Sequence, residues 1–105
     1  MKSFSIMAAL VCLLASCESM SHAPPAVTSQ MASAGKGQHI DLATLREGRT
    51  LFVHRCIECH TLPPVWHYRA GDWPEVVDSM AARASLKRDE RDAIVAYILA
   101  LRAQE

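Results

Sequence analysis

An excess of either charge sign is missing from this chain. Lys plus Arg number 11 and Asp plus Glu number 11. That balance argues against a nucleic-acid binder, whose basic surplus supplies most of its affinity, and against a disordered acidic tail. Aromatic residues are scarce, at 6% of 105 residues, so large core-filling side chains are in short supply. Strand-type alternation and internal repeats are lacking as well, which removes β and solenoid architectures. No apolar run reaches the roughly 20 residues that a membrane-crossing helix requires. The length is too small for two independent domains. What remains is one small all-α domain with little core of its own.

The longest apolar stretch, 4–15, follows Lys2. A basic residue ahead of a short apolar run fits the h-region of a secretory signal. The run ends in Leu14-Ala15-Ser16-Cys17, which resembles a bacterial lipobox. The resemblance implies that residues 1–16 are a lipoprotein signal peptide and that Cys17 is lipidated as the new N-terminus. The protein then sits on a membrane of the cell envelope, facing the periplasm, without spanning it. Two or more acyl chains anchor stably where a single one does not. Glu18 in place of Asp leans toward the outer membrane over the inner. The alternative is an ordinary signal peptide cut elsewhere, with Cys17 a bystander. Cys12 reads as an apolar residue removed with the signal.

Residues 17–40 read as a lipidated N-terminus followed by a flexible tether. They are rich in Ser, Ala, Gly and Gln, include Pro24-Pro25, and hold few large apolar residues: Val27, Ile40, Met20 and Met31. Fully extended at roughly 3.3 Å per residue, such a tether reaches several nanometres. The folded domain is expected over 41–105. Asp41 can cap a first helix that carries Leu42, Leu45, Leu51 and Phe52, with Gly48 interrupting it where another helix crosses closely. Asp72 can cap a second, with Trp73, Val76, Val77 and Met80 at helical spacing and Pro74 in the tolerated first turn. A third runs over about 86–102, with Ile94, Tyr97, Ile98 and Leu101 on one face. Residues 61–71, with Pro63-Pro64, read as loop. Three helices in so few residues need a staple.

The staple is in Cys56-Ile57-Glu58-Cys59-His60. In a helical turn, cysteines three apart can both reach one edge of a flat macrocycle. Each thiol can add to a vinyl group of haem, and the histidine that follows can ligate the iron. This C-x-x-C-H spacing is the haem c attachment signature. Rival readings of the pair are weaker. A structural zinc site needs four ligands, and no second cysteine pair is present beside His54, His60 and His67. A thioredoxin-like redox pair expects a βαβ setting. A disulfide across two intervening residues closes almost no loop.

With that motif in place, the segment from about Leu42 to Leu101 resembles the small monohaem class I cytochromes c. The resemblance implies a compact domain of about three helices around one covalently attached haem c and its iron. Gly48 and Phe52 are similar to the family's N-terminal helix contact, and Tyr97 to its partner on the last helix. Leu62 with Pro63 or Pro64 resembles the segment whose proline carbonyl accepts a hydrogen bond from the haem histidine, which fixes the ring. Trp73-x-x-Val76-Val77-x-x-Met80 resembles a subgroup whose axial methionine follows a tryptophan by seven residues. One departure is Lys87, where the family often opens its last helix with Ser or Thr; Ser85 is then a candidate cap.

Function turns on the sixth iron position. Met80 is the first candidate, with His67 next and Met31, Met20 and His54 less well placed. Met/His ligation raises the potential relative to a pair of histidines, which suits a one-electron carrier between redox partner proteins. Cys56 and Cys59 then hold the haem, and His60 and Met80 ligate the iron. The alternative is a small-ligand sensor or peroxidase with an open or displaceable sixth site; a zinc-binding lipoprotein is a third reading. A monomer in transient complexes is expected, bound to a membrane through Cys17 and to no nucleic acid. Trp66 and Tyr68 are candidates to cover a haem edge, and Arg69 to pair with a propionate. Lys87 to Asp92 and the carboxylates Asp72, Glu75 and Asp78 read as solvated surface.

Overall fold

The computed structural model describes residues 23–33, 40–56 and 62–104. The expectations placed on Cys17, Met20, Cys59 and His60 lie outside the described residues. Among those described there are four α-helices: α1 (Ser29–Ser33), α2 (Leu42–Cys56), α3 (Trp73–Ala81) and α4 (Arg88–Arg102). Two single 3₁₀ turns, Val65–His67 and Ala70–Asp72, lie between α2 and α3. No strand occurs among them, and the fold is all-α. None of these helices is long and apolar enough to cross a membrane.

The domain is built on the crossing of α2 and α4. Along α2, Leu45, Gly48 and Phe52 recur at helical spacing and are buried. Along α4, Ala93, Ile94, Val95, Tyr97, Ile98 and Ala100 are buried, while Arg88, Asp89, Asp92 and Leu99 on the other side are exposed. Gly48 lies at the contact itself. A Cβ added there would stand 1.9 Å from the carbonyl oxygen of Ala93, so the two backbones approach as closely as they do only because that atom is absent. Phe52 and Tyr97 meet across the seam with ring centroids 6.4 Å apart.

Helix α3 lies on α4 and is tied to it by Arg91. That guanidinium donates to Asp78 at 2.5 Å, to Asp92 at 3.0 Å and to the carbonyl of Pro74 at 3.3 Å. The two carboxylates raise the Arg91 pKa above its ordinary value. The far end of α3 closes with Ser85 at φ 54°. Ser85 donates its amide to Ala82 and Leu86 to Ala81, the paired bonds of a left-handed helix stop. Ser85 therefore ends α3 and does not cap α4. Instead the Glu90 carboxylate accepts the Lys87 amide at 2.9 Å at the start of α4. Asp72 also departs from expectation, since its side chain caps nothing. Its backbone is already helical, whereas a capping side chain needs an extended residue. Its carboxylate accepts from Arg69 at 3.1 Å instead.

The largest difference concerns residues 23–33, which read as tether. Met31 and Ala32 are buried at 1% and 3% exposure and join the core of α2 and α4. Arg49 on α2 donates to the carbonyls of Pro24 and Pro25, at 2.8 and 3.0 Å. The Tyr97 hydroxyl donates to the Pro25 carbonyl at 2.5 Å, and the Ile40 amide donates to the Ala32 carbonyl at 3.1 Å. The segment is a strap. Proline contributes no amide that would need a partner, but its carbonyl still accepts, so Pro24-Pro25 can lie flat against the helices.

Burial raises the Tyr97 pKa, and nearby Arg49 opposes the shift. The native protein therefore holds the phenol protonated more firmly than the unfolded chain, whose tyrosine titrates near pH 10. This stabilisation is complete below about pH 10 and lost as pH rises through the higher native value. Tyr97→Phe is expected to lower stability by about 1 kcal/mol at neutral pH through the lost hydrogen bond. It should also flatten the alkaline limb of a denaturation-midpoint-versus-pH curve; a limb as steep as in the wild type would assign the loss to other groups.

Candidate functional site

Cys56 is the last residue of α2, placed there by the same periodicity that buries Leu45 and Phe52. Next to it opens a small cleft lined by Phe52, Cys56, Pro63, Trp73, Val76, Val77, Met80 and Leu86. Every lining residue is apolar or sulfur-bearing. The spacing of Trp73, Val76, Val77 and Met80 along α3 puts all four on one wall, and Leu86 comes from the helix stop at Ser85. Cys56 and Met80, 24 positions apart in the sequence, thus line one cavity.

The walls are held by hydrogen bonds outside the cavity. Trp73 is 1% exposed, and its indole N–H donates to the Val65 carbonyl at 2.8 Å. Arg102, at the end of α4, donates to the same carbonyl and to that of Tyr68, both at 3.2 Å. The loop carrying Pro63 is thereby pinned to α3 and α4. Trp73 also meets Phe52 and Tyr68 edge to face, at 6.0 and 5.2 Å. Arg55 donates to the carbonyl of Ala84, joining the end of α2 to the end of α3. No reading of the sequence anticipated this bond, because an arginine near a helix end has no periodic signature of its partner.

The other expected residues fall elsewhere. His67 is exposed, edge-on to Tyr68 with centroids 4.7 Å apart, and His54 is exposed on α2. Neither lines the cleft. Met31 is engaged in the core, and its sulfur accepts the Thr28 amide at 3.4 Å. Trp66 is 69% exposed and covers no wall of the cleft. Arg69 is taken by Asp72 at the surface. The Pro64 carbonyl already accepts the His67 amide at 2.9 Å, whereas Pro63 lines the cleft. Among the described residues no three of His, Cys, Asp and Glu converge as a metal cage.

Comparison with known proteins gives one informative match. The chain is 41% identical over 59 residues to the cytochrome c-type protein TorY of Haemophilus influenzae. The match takes in 55% of this chain and 16% of that protein, so the chain corresponds to a small part of its relative. No family model matches, and no solved structure matches. The similarity supports a cytochrome c-type protein.

Proposed function

We propose that this chain is a one-electron carrier with a single haem c, held to the cell envelope by lipid on Cys17. The observation that supports it best is the cleft in which Cys56 and Met80 line a common apolar cavity. In this reading Cys56 and Cys59 hold the haem by thioether bonds, His60 is the proximal ligand and Met80 the distal one. The donor set suits the group: two thiols for attachment, an imidazole, and a thioether facing apolar walls. When bound, the haem iron supplies a ferric/ferrous couple and no bond chemistry on a substrate.

The chain's own residues set the conditions for that couple. Phe52, Trp73, Val76, Val77 and Leu86 offer no polar side-chain atom to the cavity except the Trp73 indole N–H, which is turned to Val65. The walls thereby offer water almost nothing to bond to. Met80 presents a soft, neutral sulfur, which favours the reduced metal relative to a second imidazole. Pro63 lines the cleft, whereas the Pro64 carbonyl is taken by the His67 amide; a proline carbonyl that accepts from the His60 ring would fix the ring and raise its basicity.

The similarity to a cytochrome c-type protein supports haem-based electron transfer with redox partner proteins. Two measurements test the reading. Expressed with haem-maturation machinery, the protein is expected to carry a mass increment of one haem and a pyridine haemochrome spectrum typical of two thioethers; a polypeptide of amino-acid and acyl mass alone would refute it. Met80→Ala should then open the sixth position, so that the ferrous protein gains carbon monoxide binding. If the wild type binds carbon monoxide as readily as the variant, Met80 is not the ligand.

A further inference from the structure

We propose that the strap over residues 24–33 turns a long tether into a short stalk, holding the lipid-anchored domain close to the bilayer with its cleft uncovered. This rests on the reading of Cys17 as the lipid-bearing residue.

The observation is where the chain first grips the domain. The Pro24 and Pro25 carbonyls take the Arg49 guanidinium and the Tyr97 hydroxyl, and Met31 and Ala32 are sealed into the core. The link from Cys17 to the first grip on the domain at Pro24 is therefore seven residues long, and not the twenty-four from Cys17 to Asp41. At about 3.4 Å per residue these lengths correspond to maximum reaches of about 24 Å and about 80 Å. The difference decides which partners are reachable. An electron acceptor bound to the same membrane stays within range, whereas one several nanometres above it does not.

The strap closes this distance without blocking the site. None of its residues lines the cleft; it packs where α2 and α4 cross, at Arg49 and Tyr97. A partner can approach the cleft while the strap remains in place. Each contact also has a structural reason to persist: Tyr97 is fully buried and Met31 cannot leave without opening a cavity.

The test uses the full mature lipoprotein in phosphatidylcholine vesicles doped with a dansyl-headgroup lipid. The dansyl groups serve as energy donors and the haem as the acceptor, because a haem in the cleft lined by Trp73 would itself quench the tryptophans. Twenty Gly/Ser residues are inserted between Ser21 and His22. For a link of seven residues, the root-mean-square span roughly doubles, from about 15 Å to about 29 Å; for one of twenty-four, it rises by only about a third. The proposal expects the larger change, with a steep fall in energy transfer, and an Arg49→Ala, Met31→Ser variant that behaves as the long-tether case. In the wild-type protein, the Met31 and Ile40 amides, bonded to the Thr28 and Ala32 carbonyls, should also be protected from hydrogen exchange. A one-third change, or exchange of those two amides at the rate of open chain, overturns the proposal while leaving lipidation intact. Failure of the protein to sediment with vesicles at all overturns the lipid reading and the proposal with it.

Discussion

Gly48→Ala is expected to destabilise the domain severely, although it places a better helix former in the middle of a helix. By propensity alone the change would stabilise α2 by about 1 kcal/mol. The added methyl would meet the Ala93 carbonyl oxygen at 1.9 Å, its carbon at 2.6 Å and the Tyr97 Cβ at 3.0 Å. A comfortable carbon-to-oxygen contact is about 3.3 Å or more. The offending atoms are mostly backbone, so no rotamer change relieves the clash. The helices must separate by more than 1 Å, and every pair across the seam then loses contact, including Phe52 with Tyr97 and Leu45 with its neighbours on α4. Overpacking of this kind costs typically 1–3 kcal/mol and sometimes more. A domain this small holds only about 3–10 kcal/mol in total. Thermal or denaturant midpoints should fall sharply, and the yield of haem-loaded protein with them. A midpoint equal to or above the wild type's would mean that the two helices do not touch at Gly48.

Trp73→Ala should come close behind. Trp73 is fully buried and is the keystone between cleft and loop. Its indole packs edge to face on Phe52 and Tyr68 and donates to Val65. Truncation removes the ring, both aromatic contacts and the hydrogen bond. Such changes cost about 3–5 kcal/mol. Trp73→Phe separates the components. The ring partly survives, and the Val65 carbonyl keeps Arg102 as a donor, so the loss should be nearer 1–2 kcal/mol. The decisive readout is local. Hydrogen exchange at 65–67 should rise in both variants beyond what the global change in stability explains, because the loop has lost its anchor. If 65–67 opens only with the whole domain, the indole does not pin the loop.

The candidate site divides in the same way as these two effects. Cys56 and Met80 could be named from spacing alone, because an attachment motif and a helical stripe are local patterns. That they line one cavity is a fact of the tertiary structure, which brings α3 against the end of α2. Trp66 was a candidate cover for the haem edge and lies in solvent; its apolar character gives no direction, since a loop has no period to point with. His67 offers the same lesson, being a competent ligand by chemistry and exposed on the loop outside the lining of the cleft.

From the order of residues alone came the all-α class, the three main helices near their true bounds, the close approach at Gly48 and the cysteine–histidine motif. Each depends on groups within a few positions of one another, where periodicity, φ/ψ preference and ligand spacing act directly. The chain in space decided the rest. Pro24-Pro25 reads as linker until Arg49 and Tyr97, far along the sequence, supply donors for its carbonyls. Met31 reads as a tether residue until the core of α2 and α4 offers it a place. Asp72 reads as a cap until the preceding 3₁₀ turn gives it helical backbone. Long-range partners carry no local signature, so burial and pairing of this kind become visible only once the helices have crossed.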